Sequence, residues 1–563
     1  MYQEEHNQEN LLILSSSDEL QKLKEYLSDK EYVAFDTETT GLGKDAIVIG
    51  FSICADLDTA FYVILKSWDK VQGKLINTEA DSADLVYFFK FLQSKSLIMH
   101  NAVFDCARVE DNYKVKLIDS VHTDTMILGH ILDENRLNGL KELGESIFGD
   151  NARKEQYEMK ASITTNGGKI TKKDYELYKA DANLIAKYGA KDALLTLKLF
   201  YHFVPQLFEQ KLDKFFYEDE SMPLLRGPTY EMNAVGLKLD LDKLQKLKGE
   251  LEVEMHEQRA FIYSEIHFYI KDLYPGTNKK NTFNINSSKQ LAWLLFSALK
   301  QDFYTLTEEG RELCNSLEIK VPYSPADRRA FIKACIENKD KIYQESKFNY
   351  KTKKMSRPKK IGVPWNYIAS GKKTLAKLAP KFKWVQTLLA YKKNDKLLKT
   401  YVIGIQERHR FGVIHPSFFQ NGTTSGRYSS KNPNFQNLPR DDKRIKSCVV
   451  SRSGKVFVGA DYSQLEPRVF ASVSQDKKLI ECFEKGQDFY SVVGVSIFDK
   501  NGYSLYKDDE DSFAKKFPEL RGLSKTFSLA TPYGTSAFRQ SQELEKPREE
   551  CQLIIDKYFA KHP

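Results

Sequence analysis

Three apolar segments rich in Val, Ile and Phe follow one another within residues 32–65: Tyr32–Phe35, Ala46–Cys54 and Ala60–Leu65. Each reads as a strand, and turn-forming residues such as Gly41 and Gly43 separate the first two. Consecutive strands with short connections imply an antiparallel meander. A buried strand, Leu97–Met99, follows, and helical spacing then dominates to about Gln210, with Ile163–Thr171 read as a loop around Gly167 and Gly168. Strands first and helices after make the opening third an α/β unit.

At 563 residues the chain is too long for one hydrophobic core, and 41% apolar with 12% aromatic residues suffices to bury several. Eighty-five basic against 77 acidic residues leave a net charge of +8. So modest a surplus makes any affinity for nucleic acid depend on where the charges cluster. The seven cysteines are scattered, odd in number and form no CxxC pair, which argues against a disulfide framework and a structural zinc site and fits a reducing compartment. Met1–Asn10 is acidic and polar, unlike a secretory or transit signal, and Leu11–Leu14 is too short to span a bilayer. The expectation is a soluble intracellular protein.

Asp36 and Glu38 close the first strand in FDTETTGL. Residues two apart on a strand share a face, so both carboxylates can converge on one cation. Asp105 lies in HNAVFD, just after the strand at Leu97–Met99, and Asp192 in YGAKD, with Tyr188 one helical turn before it. Four carboxylates meeting in space suit two hard divalent cations, Mg²⁺ or Mn²⁺. Two such ions roughly 4 Å apart activate a water and stabilise a leaving oxygen in phosphodiester hydrolysis. Alone, a DxE pair is a common surface feature and a YxxxD pair weaker still. It is three motifs in order, each on the element the site requires, that carry the argument.

Over roughly Leu11 to Gln210 this pattern resembles the Tyr-containing branch of the DEDD 3′→5′ exonucleases, which have a ribonuclease-H-like fold. The resemblance implies that Asp36, Glu38, Asp105 and Asp192 are metal ligands and that Tyr188 positions the attacking water. It further implies that Leu42 is an apolar wedge against the terminal bases and Asn101 a contact to the strand. Phe104 stands where many relatives have Tyr.

Downstream, Leu241, Leu244, Leu247, Leu251 and Met255 predict a long helix to about Ile270, capped by Asp240. A basic stretch (Lys351, Lys353, Lys354, Arg357, Lys359, Lys360) and a helical segment with nine lysines, Lys372–Lys399, are solvated faces by themselves. Beside nucleic-acid motifs they become candidates for phosphate contacts. No internal repeat is found.

Three further runs complete the pattern. TTSGRYSSKNPNFQNLPR (Thr423–Arg440) holds Arg427, Asn432, Asn434, Gln436 and Asn437, donors suited to sugar–phosphate and minor-groove acceptors. In VFVGADYSQLEPR a strand, Lys455–Ala460, delivers Asp461, with Glu466 near enough to shape the same pocket. In RGLSKTFSLATPYG, Arg521, Lys525, Leu529 and Tyr533 fall at four-residue spacing, a helical stripe that could clamp a triphosphate as far as the helix continues. Pro532 is expected to break it just before Tyr533.

These runs, in this order, resemble family A DNA polymerases of the bacterial polymerase I and phage type. The resemblance implies that Asp461 ligates two further metal ions and that Glu466 is the steric gate against a ribose 2′-hydroxyl. It places Arg427 at the primer end, and Gln436 and Asn437 in the minor groove. Arg521 and Lys525 would hold the deoxynucleoside triphosphate, and Tyr533 would meet the template base. Phe283–Phe296 resembles the family's thumb entry. The implied order is an exonuclease domain (1–212), thumb and connecting region (213–405), the first part of the palm (406–475) and fingers (476–563) of a right-hand polymerase. Leu529 replaces the usual Phe or Tyr, Ala530 the usual Gly, and Tyr490 a His.

The family's second palm carboxylate rides in His-Asp-Glu, yet none of the ten histidines here precedes an Asp. Relatives continue past YFAKHP for about a hundred residues. The expectation is therefore a proofreading replicative or repair polymerase whose synthesis needs a further palm segment, on this gene or on a second polypeptide. The alternatives are a 3′→5′ exonuclease with a polymerase-derived DNA-binding module and a non-catalytic DNA-binding fragment. DNA primer–template, single-stranded 3′ ends and nucleotides are the expected partners.

Overall fold

The computed structural model describes residues 10–149, 154–171, 175–271, 283–301, 306–322, 325–344, 348–349, 354–355, 359–439, 442–544 and 546–561. Two units separate, Met1–Ser453 and Gly454–Pro563. Among the described residues no helix is long and apolar enough to cross a membrane.

The first unit opens with β1 (Asn10–Leu14), α1 (Ser17–Tyr26), β2 (Tyr32–Thr39), β3 (Val48–Asp56) and β4 (Thr59–Ile64). A small antiparallel hairpin of β5 (Lys66–Asp69) and β6 (Lys74–Asn77) follows. Next come α2 (Ser82–Leu92), β7 (Ser96–Met99), α3 (Ala102–Tyr113), β8 (Val121–Asp124), α4 (Thr125–Leu132), α5 (Leu140–Phe148), α6 (Lys154–Thr165) and α7 (Ala182–Glu209). The main sheet runs β1-β4-β3-β2-β7-β8. β2, β3 and β4 form the expected antiparallel meander, in register Phe35↔Ile53 and Ile53↔Phe61. β1 lies parallel to β4, β7 parallel to β2, and β8 parallel to β7.

Strand alternation divides the side chains between two cores. Val33, Phe35, Phe51, Ile53, Phe61 and Val63 pack against helices α1 to α4. Ala34, Cys54, Ala60 and Tyr62 face α6 and α7. Ala34, Cys54 and Ala60 are small, and α7 answers with Ala186, Gly189, Ala190 and Ala193, so the helix lies close to the sheet. At Gly189 a Cβ would meet the Tyr62 ring at 2.6 Å, so only glycine permits this approach. Because Ala34 faces α7, the period of two turns Asp36 and Glu38 toward α7 as well.

Leu241–Lys271 forms the expected long helix, with Leu244, Leu247 and Leu251 buried and Leu241 left exposed. The expected Lys372–Lys399 helix is instead two, Lys372–Leu378 and Lys383–Lys396. Pro380, which lacks an N–H donor, stands at the break. Ile163–Thr165, read as loop, extends α6 before Gly167 turns the chain at φ +71°. Much of the basic stretch 351–360 lies outside the described residues.

In the second unit, Leu479, Cys482, Phe489, Val493, Phe527, Cys551 and Ile554 form a helical core. The expected strand Lys455–Ala460 is absent: no described residue pairs with this stretch, and Val456, Phe457 and Val458 are exposed. Apolar β-branched sequence becomes a strand only when a neighbour accepts its hydrogen bonds.

Candidate active site

The site forms where β2 meets α7. One oxygen from each of Asp36, Glu38 and Asp192 lies within 4.8 Å of the others. Asp192 and Tyr188 come from α7, whose first turn is capped by Asp181 accepting from Asn183 N and Leu184 N. Asp105 arrives from α3 on the other side of β2. Its Oδ1 accepts from the Thr37 amide at 2.9 Å and the Thr37 hydroxyl at 2.5 Å, so β2 itself fixes it beside Asp36. The four motif carboxylates therefore assemble as a group of three with a fourth locked alongside.

Burial raises the proton affinity of Asp36, and the charge of Glu38 adds to it. Asp105 is pushed well up by burial and then by Asp36, and Glu38 by burial and then by Asp105, while Lys141 opposes the rise at both Asp36 and Glu38. Carboxylates crowded this way bind either protons or cations, and an all-oxygen donor set suits a hard divalent metal. The residues present thus fit such an ion.

Three neighbours of the site carry no fixed motif spacing. Lys141, in the first turn of α5, ion-pairs with Asp192 Oδ1 and lies 4.4 Å from the centroid of the Tyr188 ring. Burial draws its ammonium down to about 8, against the pull of Glu38 and Asp36. The Tyr62 hydroxyl is buried with no hydrogen-bond partner among the described residues, and burial, Glu38 and Asp36 all keep it protonated. Burial and the same two carboxylates likewise raise the Tyr188 phenol well above its usual range. Asp124 accepts from Asn101 N, Ala102 N, Met126 N and Ile127 N, and so braces the corner from β7 into α3. At that corner Asn101 takes a left-handed conformation, φ 67°, and its side chain does not cap α3. Leu42, in the loop after β2, is 87% exposed.

The polymerase-like motifs fall in both units. In the first, the loop after Thr423 is tied to the exonuclease-like part by His130, whose Nε2 lies 3.0 Å from Thr423 O, and to the connecting region by Thr229, whose Oγ1 lies 2.5 Å from the Tyr428 hydroxyl. Arg427 and Asn437 are exposed, and Asn437 O accepts from the Tyr401 hydroxyl. Gln436 Nε2 donates to Tyr428 O at 2.9 Å, and Asn434 Oδ1 accepts from Gln436 N. Asn432 precedes Pro433 at φ 58°.

In the second unit, Asp461 is exposed in a segment without regular secondary structure rather than delivered by a strand, and Glu466 lies in the first turn of the helix Leu465–Ser474. Arg521, Lys525 and Leu529 share the helix Pro518–Ala530, whereas Tyr533 lies beyond its end, 72% exposed, with its ring 5.8 Å from Phe470. Both cations converge on the Tyr490 ring, Arg521 at 5.4 Å and Lys525 at 5.5 Å. Arg521 also grips the buried Asp488 through Nε and Nη2, each at 2.7 Å.

Residues 12–207 match the family described as 3'-5' exonuclease, and residues 341–563 match DNA polymerase family A. The DNA polymerase I of Borreliella burgdorferi is 27% identical over 551 residues, which cover 97% of this chain and 49% of the relative. The DNA polymerase of Escherichia phage T5 is 26% identical over 578 residues, 94% of this chain and 57% of the relative. The chain thus spans about half the length of the curated relatives it matches. Among solved structures, the POL domain of Pol1 from M. smegmatis, in complex with DNA primer-template and dNTP, superposes with a TM-score of 0.65 at 20% identity. That likeness covers 98% of this chain and 76% of the other.

Proposed function

Because residues 12–207 belong to the 3'-5' exonuclease family and residues 341–563 to DNA polymerase family A, we propose that this chain removes nucleotides from DNA 3′ ends as the proofreading part of a replicative or repair DNA polymerase. The observation that carries the reading is the convergence of Asp36, Glu38 and Asp192 within 4.8 Å, with Asp105 locked beside them. Two Mg²⁺ or Mn²⁺ ions held there would supply an activated water and stabilise the leaving oxygen. Tyr188, kept protonated, would donate a hydrogen bond to that water and orient it beside Glu38. Leu42 is free to lie against the terminal base, and Asn101 stands at the corner facing the strand.

Nucleotide addition is proposed for the whole protein. Arg427, Gln436 and Asn437 then hold the primer–template. Arg521 and Lys525 take the triphosphate over Tyr490, Glu466 excludes the 2′-hydroxyl, Tyr533 meets the template base, and Asp461 ligates the metal ions. The exposed stretch Val456–Val458 has the character of a strand awaiting a neighbour, which supports a further palm segment, in this protein or a second polypeptide, bringing the other carboxylate. The boundaries read from the motifs, near residues 212, 405 and 475, are proposed on the same ground.

The test is degradation of a 5′-labelled single-stranded oligonucleotide with Mg²⁺. Shortening from the 3′ end is expected from the wild-type chain and none from Asp36→Ala. Undiminished activity in that variant would sink the assignment.

A further inference from the structure

Lys141 is the feature of the site that the motif chemistry leaves unused. It stands in the first turn of α5, where the helix macrodipole disfavours a cation. Glutamate and aspartate are the ordinary residues of such a turn, and Lys141 is compensated there by the carboxylates it reaches. The packing that brings it in is specific. A Cβ at Gly144 would lie 2.8 Å from Leu195 Cδ2, so the glycine lets α5 settle against α7. Lys141 and Asp192, each three residues earlier on its own helix, are thereby set side by side. The side chain is 11% exposed, so its ammonium is committed to the nest rather than to solvent. Its ammonium lies over the Tyr188 ring, which limits where it can go.

An ammonium on Asp192 Oδ1 occupies an oxygen that a divalent cation needs. Resting on the reading of this site as a metal centre, we propose that Lys141 is a resident counter-ion: it holds the carboxylate nest together when metal is scarce and must be displaced from Asp192 for the cation to enter. Lys141 is on this account a positioning residue that sets the metal concentration at which the nuclease switches on. Removing its charge makes the nest a stronger cation site, whereas a merely structural lysine, when lost, would loosen the nest and weaken metal binding.

The experiment titrates the full chain, stripped of metal, with Mn²⁺ at about pH 6.5, where the Lys141 ammonium is charged, reading bound ion by electron paramagnetic resonance. Wild type, Lys141→Met and Lys141→Arg are compared. Removing a like charge a few Å from the ion should tighten Mn²⁺ binding by at least about tenfold in Lys141→Met. Lys141→Arg, which keeps the charge, should stay within a factor of about three of wild type. Half-maximal oligonucleotide cleavage should shift to lower Mn²⁺ in Lys141→Met by a similar factor. Unchanged or weaker binding in Lys141→Met overturns the proposal, and so does equal tightening in Lys141→Arg, since charge would then not be the cause. Failure of the wild-type chain to bind Mn²⁺ at all would overturn the metal-centre reading itself, a distinct result.

Discussion

Gly189→Ala tests how closely the proposed nuclease chemistry depends on the packing of one helix. In an exposed helix interior this substitution stabilises by about 1 kcal/mol. Gly249, exposed in the helix Leu241–Lys271 with nothing within 4 Å of a built Cβ, is such a position and serves as the control. At Gly189 the new methyl would meet Tyr62 Cε2 at 2.6 Å and Cδ2 at 2.8 Å, with Glu38 Cγ at 3.6 Å. The ring has no free side, because its hydroxyl already fills the space above Gly50, where a Cβ would lie 2.2 Å away. α7 must therefore lift, and overpacking of this kind costs about 1–3 kcal/mol, which cancels or exceeds the helix gain. The lift carries Tyr188 and Asp192 with it. A displacement of roughly 1 Å at reacting groups costs about a hundredfold in rate. Hydrogen exchange on α7 and on Leu241–Lys271, together with oligonucleotide cleavage, reads both effects. Slower exchange in α7 matching that of the Gly249→Ala helix, with wild-type cleavage, would refute the reasoning.

Asp488→Asn breaks a bidentate pair whose carboxylate is wholly buried, and should destabilise the second unit by about 3 kcal/mol, measured as a lower denaturation midpoint for its helices. Burial works to raise the Asp488 carboxyl, but the bonds from Arg521 and Ser491 outweigh it and hold it below the usual range. A depressed folded-state value means the pair's contribution is complete above the ordinary carboxylate range and disappears as pH falls through the folded value. Acid loosening of this unit should therefore begin only below that range in wild type, and Asp488→Asn should lack the step. Asp124→Ala strips acceptors from four backbone amides, a loss of about 2–4 kcal/mol, seen as faster exchange at residues 101–105 and slower cleavage. Primer extension should be undetectable with the chain alone and should appear when a polypeptide able to pair with Val456–Ala460 is added; extension by the chain alone would remove the need for a partner strand.

The meander and the carboxylates on β2 could be read ahead of the structure because both depend on local pattern. Val33 and Phe35 alternate with Ala34 and Asp36, and strand geometry turns that alternation into faces. YGAKD showed its Tyr–Asp pair through helical spacing, and Gly189 between them is what brings α7 near enough to use it. Lys141 was invisible because its partner lies 51 residues away and nothing but the α5–α7 packing joins them. Tyr62 looked like any core aromatic in Thr59–Ile64, and only the folded arrangement sets its hydroxyl beside Glu38. The apolar run at Lys455–Ala460 misled for the opposite reason: local pattern was present and the neighbour that would make it a strand was not among the described residues.

The position of α7 also governs when the site can exist during synthesis. Asp36 and Glu38 leave the ribosome early, but Asp192 follows on the order of ten seconds later at ordinary elongation rates. α7 closes one face of the sheet, so the nest is complete only once the last long helix of the exonuclease-like part has emerged and docked. On the proposed reading, a nascent or proteolytically clipped chain lacking that helix would be harmless to DNA ends. Degradation would then be withheld until the scaffold that carries the nest has folded.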